Sequence, residues 1–334
     1  MQGAASCAEG TELLLNIHRV VSARVLRAAV IGAGHFGRHH ATKYMRLPGV
    51  KLTAIADPSA DARRQVAMHL HVPVFADWRD LLGEVDVVSV CSPASTHAEI
   101  VRAFLSAGAH VLVEKPIATG LEEADELVRL ANDLGLVLTV GHQERFVFAQ
   151  SGLLGFEDAP LAIESVRAGP WTGRGDDVSV VLDLMIHDLD LIHRLVPGAV
   201  AYVEAKSRSV HGMLPDEVTA KVVFENGSRV KLIASRAAET RKRSMKIVYA
   251  DGVVEIDFLA RTLKNTTGRP IKPLELHDPL AEAVRAFVTA VETQEEALVR
   301  PEEARTALQT ALMIEDAAVP VVAKPPSEGI ALVA

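Results

Sequence analysis

The largely apolar stretch from Val181 to Ile192 carries Asp183, His187, Asp188 and Asp190, and Arg194 follows two residues beyond it. If the stretch is helical, at about 100° per residue, Asp183, His187, Asp190 and Arg194 fall within about 40° of one line and form a narrow polar stripe. Burying a carboxylate and an imidazole costs several kcal/mol unless they are paired or face a solvated cavity. The stripe therefore lines a cavity or ties two domains together as an ion-pair network, and the segment alone leaves both open. Asp190 and Arg194, farther along the helix, are the better candidates for structural pairing.

A second chemical signal lies nearer the start. Val25 to Ile31 reads as a buried strand running into Gly32-Ala33-Gly34-His35-Phe36-Gly37, with helical residues following from Arg38 to Leu47. Gly32 allows the tight turn, Gly34 lets the backbone approach a diphosphate at the helix N-terminus, and Gly37 permits close helix–strand packing; His35 and Phe36 flank the same site. A second strand, Lys51 to Ala56, ends on Asp57, about 20 residues beyond the last glycine. A carboxylate there accepts hydrogen bonds from ribose hydroxyls and repels a 2′-phosphate, so NAD is expected over NADP. The plainer reading of Asp57 is a turn residue before Pro58.

Short apolar strands then alternate with helical segments: Val74-Phe75, Val85 to Val90, His110 to Val113 and Leu136 to Val140. Six such strands predict a parallel sheet covered on both faces, the doubly wound α/β dinucleotide fold, with ligands outside the carboxyl ends of the strands. Three segments occupy those ends: Ser92-Pro93 with His97, Glu114-Lys115-Pro116, and Gly141 to Phe146, which contains Gln143. Lys115 is placed to donate to a substrate hydroxyl or to a nicotinamide carboxamide. Its alternative is an ordinary loop lysine.

The pattern changes near residue 150. Later strand-like segments, among them Glu217 to Phe224 and Arg229 to Ser235, with turn signals at Asn226-Gly227 and Asp251-Gly252, predict an α+β domain built on an open, largely antiparallel sheet. The expected organisation is an extension over 1–23, a dinucleotide-binding domain over 24–148, and a substrate and oligomerisation domain over 149–334. Val223, Ile233 and Val248 leave the open face half apolar, so a homodimer or homotetramer through this sheet is expected.

The chain has 334 residues, 49% hydrophobic and 23% charged, enough for two domains with their own cores. Asp and Glu exceed Lys and Arg, 43 to 35, which argues against a nucleic-acid partner. No run of 18 or more apolar residues is present for a membrane span, and residues 1–23 do not have the pattern of a signal peptide. Cys7 and Cys91 give no disulfide framework, which fits a reducing cytoplasm. His39-His40 and His69/His71 read as surface or helix-end residues, and no metal is expected.

Gly32-x-Gly34-x-x-Gly37, the Glu114-Lys115-Pro116 turn and the Asp183-x-x-x-His187-Asp188 helix, in that order, resemble the glucose-fructose oxidoreductase / inositol dehydrogenase (Gfo/Idh/MocA) family over roughly residues 24 to 318. Gly141 to Phe146, Val180 to Asp190 and Phe224 to Ser228 are similar to its UDP-N-acetylglucosamine 3-dehydrogenase branch, which makes a 3-keto nucleotide sugar for lipid A precursors. Relatives there usually continue Glu-Arg-Phe with Asn-Pro, where this chain has Val147-Phe148. The resemblance implies NAD-dependent oxidation of a secondary hydroxyl of a sugar or nucleotide sugar, with an inositol or free-sugar dehydrogenase as the alternative. A catalytically inactive nicotinamide-binding regulator is the alternative of another class.

The resemblance further implies that Lys115, Asp183 and His187 surround the reacting carbinol, with His187 as general base. Cations for a UDP diphosphate are then sought among Arg167, Arg174, Arg236, Arg241 and Arg243, foremost Arg174 and Arg236. Arg145 is expected to touch substrate or cofactor.

Overall fold

The computed structural model describes residues 24–173, 175–274 and 278–321; the expected extension over 1–23, the 322–334 tail and Arg174 lie outside them. Apolar runs generate the first sheet: β1 (Leu26–Ile31), β2 (Val50–Ala56), β3 (Val74–Phe75), β4 (Val87–Val90), β5 (His110–Val113) and β6 (Leu138–Val140). All pair in parallel in the order β3-β2-β1-β4-β5-β6, the doubly wound arrangement. Because strand side chains alternate, Ala28 and Val30 point into one apolar layer and Ala29 and Ile31 into the other.

Helices α1 (His35–Arg46) and α2 (Ala60–Leu70) cover the first face, and α3 (His97–Ser106) and α4 (Leu121–Leu134) the second. After β6 the chain forms α5 (Glu144–Ser151) and enters the second sheet. That sheet comprises β7 (Ala162–Ala168), β8 (Val200–Arg208), β9 (Glu217–Phe224), β10 (Arg229–Ser235), β11 (Lys242–Tyr249), β12 (Gly252–Asp257), β13 (Thr262–Asn265) and β14 (Ala318–Pro320), ordered β13-β12-β11-β7-β10-β9-β8-β14. Its pairs are antiparallel except β7–β10 and β8–β14.

The turns differ from expectation. Asn226 does not have positive φ; Gly227 alone does, at 87°, and Phe224 and Ser228 are joined through a three-residue loop whose last residue is left-handed. Tyr249 pairs with Gly252, so the second turn is Ala250-Asp251 and Gly252 already belongs to the strand.

The inner face of the second sheet packs on α6 (Ile186–Leu195) and α8 (Pro301–Ala317). One helix, α7 (Pro279–Thr293), follows that sheet in sequence yet returns to the first: Leu280, Val284, Phe287 and Val288 pack with β1, β2 and α1. Pro279 in its first turn and the Asp278 carboxylate, which accepts from Ala281 N at 3.0 Å, set where it begins.

Candidate active site

The expected single helix through the polar stripe is in two parts. Val181–Met185 forms one wide π turn, and only from Ile186 does regular α-helix α6 proceed. Such turns are rare and recur at functional sites. Asp183 lies in the wide turn and His187 in the first α turn, and both line one cleft of about 1000 Å³ at the carboxyl ends of the parallel strands.

The opposite wall comes from the dinucleotide half. Gly32, Gly34, His35, Phe36, Asp57, Ser92, Pro93, His97, Glu114 and Lys115 all line the cleft. At Gly32 φ is 98° and a Cβ would meet Cys91 O at 2.6 Å; at Gly37 it would meet Gly32 O at 1.8 Å. Around Gly34 nothing stands within 4 Å. The turn is thus closed below and open above, which fits a dinucleotide diphosphate lying on Gly34 at the N-terminus of α1. Asp57 accepts from Ala33 N and Ser59 N, both at 2.7 Å, so it braces this turn as well as lining the cleft.

Lys115 and Asp183 meet across the cleft. Lys115 Nζ donates to the Asp183 carbonyl at 2.5 Å and to Oδ1 at 3.0 Å. Gly175 closes over Asp183 from the loop after β7: its φ is 70°, and a Cβ there would lie 2.7 Å from Oδ2. His187 Nδ1 lies 3.0 Å from Glu144 Oε2, at ion-pair distance but without hydrogen-bond alignment. Glu144 Oε1 accepts from Arg167 Nη1 at 2.9 Å, and Arg167 forks onto Asp188 with contacts of 2.9 and 3.2 Å. Burial opposes ionisation of Glu144, but the charges of His187 and Arg167 outweigh it and hold the carboxyl well below its ordinary range.

Beneath the lysine runs a second buried chain. Tyr44 Oη and His40 Nδ1 contact Ser89 Oγ at 2.8 and 3.0 Å, and His40 Nε2 contacts Glu114 Oε1 at 2.8 Å. Gln143 Nε2 donates to the same oxygen at 3.4 Å. Gly141 makes room, since a Cβ there would lie 2.7 Å from the Glu114 carboxylate. Burial opposes the Glu114 charge, and the His40 hydrogen bond with the Lys115 and His187 charges overcomes it, lowering its pKa.

Several expectations need correction. His40 is not a surface residue but fully buried; the spacing 37, 40, 41, 44 of buried positions on α1 is helical and was the available signal. His97 lines the cleft, yet its two ring nitrogens sit 2.7 Å from Pro116 O and 3.0 Å from Ser92 O, so it braces two cleft loops. Gln143 supports Glu114 and is not among the cleft-lining residues.

Arg145 points away from the cleft and is 1% exposed, held by Asp190 and Glu303. A permanent cation can be buried at that depth only with such partners. Arg194 also pairs with Glu303, at 2.9 Å. The two outer members of the stripe are therefore structural. Arg236 reaches the cleft, but its Nε is bound to Asp216 at 2.6 Å and its Nη1 to the carbonyls of Gly175 and Val178. Arg241 and Arg243 line the same cleft, and among the described residues neither has a carboxylate within 4.0 Å.

Comparisons with known proteins agree on this architecture. Residues 26–142 match the model of the GFO/IDH/MocA oxidoreductase family, NAD-binding Rossmann fold, and residues 156–255 match a GFO/IDH/MocA C-terminal domain. UDP-N-acetylglucosamine 3-dehydrogenase from Acidithiobacillus ferrooxidans is 38% identical over 240 residues, 71% of this chain and 76% of that one. A solved structure of that enzyme aligns with a TM-score of 0.81 at 34% identity, covering 88% of this chain and 97% of the other. Myo-inositol 2-dehydrogenase from Thermotoga maritima is 26% identical over 319 residues, 85% of this chain and 93% of that one.

Proposed function

We propose that this chain, which belongs to the Gfo/Idh/MocA oxidoreductase family, oxidises UDP-N-acetylglucosamine to its 3-keto form. The chain is an NAD-dependent dehydrogenase acting on a CH–OH group of a sugar. Bound NAD supplies the hydride acceptor. Gly32, Gly34 and the start of α1 would hold its diphosphate, and Asp57 would accept from its ribose hydroxyls.

The chain's own residues handle the proton. His187 Nε2, the ring nitrogen away from Glu144, takes the hydroxyl proton from within about 3 Å. Lys115, steered by Asp183, donates to the same oxygen as negative charge develops on it. Asp183 also balances the lysine charge.

The observation that carries the substrate is that Arg241 and Arg243, which have no carboxylate within 4.0 Å among the described residues, line the cleft that holds Lys115, Asp183 and His187. An uncharged cyclitol has no use for two free cations, whereas a diphosphate matches their fork geometry. The inositol reading remains the second one, favoured by the likeness to myo-inositol 2-dehydrogenase. A redox-dead regulator would have no need to keep three ionisable groups together at this cost.

Purified protein with NAD should form NADH on addition of UDP-N-acetylglucosamine and give a 3-keto product by mass spectrometry. Turnover of inositol or free hexoses with none of the nucleotide sugar would overturn the assignment. No helix among the described residues is long and apolar enough to cross a membrane. We place the reaction in the cytoplasm, to be checked by fractionation, and its product in lipid A precursor synthesis, to be checked by the lipid A composition of a deletion strain. Val223, Ile233 and Val248, half-buried on the open sheet face, support a homodimer or homotetramer, which light scattering on the purified protein would measure.

A further inference from the structure

We infer that Glu144 is a positioning residue for the reaction: it fixes the proton of neutral His187 on Nδ1 and thereby leaves Nε2 as the proton-accepting atom in the cleft. The inference rests on His187 being the base, but its central measurement requires no substrate.

The geometry has three parts. Glu144 Oε2 lies 3.0 Å from Nδ1, and no other hydrogen-bond acceptor among the described residues serves that nitrogen. Such contacts are often misaligned in unliganded sites and tighten when substrate binds. The carboxylate cannot swing away easily, because Arg167 Nη1 holds Oε1 at 2.9 Å and Arg167 is itself forked onto Asp188. The side chains of His187 and Glu144 are only 16% and 17% exposed, so water competes weakly for the contact.

A carboxylate has no proton to give, so the partner nitrogen must be the donor and the other ring nitrogen carries the lone pair. On turnover Nε2 accepts the hydroxyl proton. The ring becomes an imidazolium whose Nδ1–H still points at Glu144, and the O–H electron pair remains on the substrate oxygen.

The other charged groups around the ring do not replace this role. Lys115 and Asp183 stand on the cleft side and pair with each other. The edge-on His142 ring is 6.2 Å away between centroids, and burial lowers its pKa to about 4, so it is neutral. Glu114 acts on His187 only through its field and is hydrogen-bonded to His40. Arg243, on the cleft, couples electrostatically to Arg167, Glu144 and Asp188.

Glu144→Gln makes a sharp test. Arg167 only donates, so the amide oxygen stays on Arg167 and the amide NH2 turns to Nδ1, which must then accept. The ring proton moves to Nε2 and the base is lost. Full-length protein labelled with ¹⁵N-histidine, with His187 assigned by its absence in His187→Asn, reports both nitrogens in long-range ¹H–¹⁵N spectra.

The wild type should carry the neutral-ring proton on Nδ1, Glu144→Asp should keep it there, and Glu144→Gln should move it to Nε2. In parallel kcat should fall about 10²-fold or more in Glu144→Gln, with no further loss in the Glu144→Gln/His187→Asn double variant. A wild-type proton on Nε2 overturns the inference even if the glutamine variant fails to fold. So does an unchanged tautomer in Glu144→Gln accompanied only by a lower melting temperature, the result expected of a purely structural Arg167–Glu144 pair. Failure of every sugar as substrate would refute the proposed function while leaving the tautomer measurement intact.

Discussion

At the level of single residues, types and spacing identified the groups that meet in the cleft but not all of their partners. Lys115 precedes a proline at a strand end, and Asp183 and His187 share a helical face, so each is legible in a short stretch of chain, although Lys115 and Asp183 meet across 68 residues. Arg145 looked the same by that logic, as a cation beside a strand end, yet it is buried against Asp190 and Glu303. Nothing local distinguishes the two cases, because its partners lie 45 and 158 residues away. Replacing Arg145 by methionine leaves the buried Asp190 carboxylate uncompensated, while Glu303 keeps Arg194 and Arg300, and should cost about 3–5 kcal/mol in urea unfolding. Since the guanidinium does not line the cleft, kcat/KM of the protein that remains folded should stay within a few-fold of wild type.

The elements carry the next level of information. Helix α1 was legible as a helix with an open phosphate-binding start, and its buried positions 37, 40, 41 and 44 place His40 inside. The glycines at its start do separable jobs. Gly37→Ala drives a Cβ into the Gly32 carbonyl, so the turn must shift and the melting temperature of the unliganded protein should fall. Gly34→Ala meets nothing within 4 Å, so the unliganded melting temperature should be unchanged. Its methyl would instead occupy the space for the diphosphate, and the rise in melting temperature caused by NAD should shrink or vanish. Thermal scans with and without NAD distinguish the two. The wide turn at Val181–Met185 was not legible, because the apolar periodicity continues through it; contacts from Lys115 and the loop around Gly175 accompany it only in three dimensions.

Across the whole molecule, one face of the parallel sheet shares a continuous apolar core with the second sheet and α8, while α7 packs into a separate core on the other face. Two neutral histidines, His142 and His193, are trapped in this interior, and burial lowers the pKa of each to about 4. Their folded pKa values lie below the unfolded value of about 6.5. Between those limits the unfolded chain binds more protons, so this contribution is fully present above pH 6.5 and is lost as pH falls toward 4. Each histidine should add a slope of up to about 1.4 kcal/mol per pH unit in that window. Urea unfolding at successive pH values between 6.5 and 4.5 should show it, and His193→Asn should reduce the slope by up to about 1.4 kcal/mol per pH unit. Glu144 and Glu114 have depressed folded pKa values, so their contributions stay in place above about pH 4.5 and fall away only below it.

Periodicity, turn chemistry and spacing were enough to read six parallel strands, the glycine turn with its helix, the second antiparallel-rich sheet, and Asp183 and His187 on one face, whereas the grouping of Lys115 with them came from the family resemblance. The former follow from the chain alone because each rests on interactions between residues a few positions apart. Which charges are neutralised and which stay available was decided only by tertiary packing. Asp216 and two backbone carbonyls engage Arg236, Glu303 and Asp190 engage Arg145, and Glu144 joins His187 to Arg167, while Arg241 and Arg243 keep no carboxylate partner among the described residues. An ion pair depends on distance in space, and side chains from remote segments reach that distance only once both sheets and their helices have closed around the cleft.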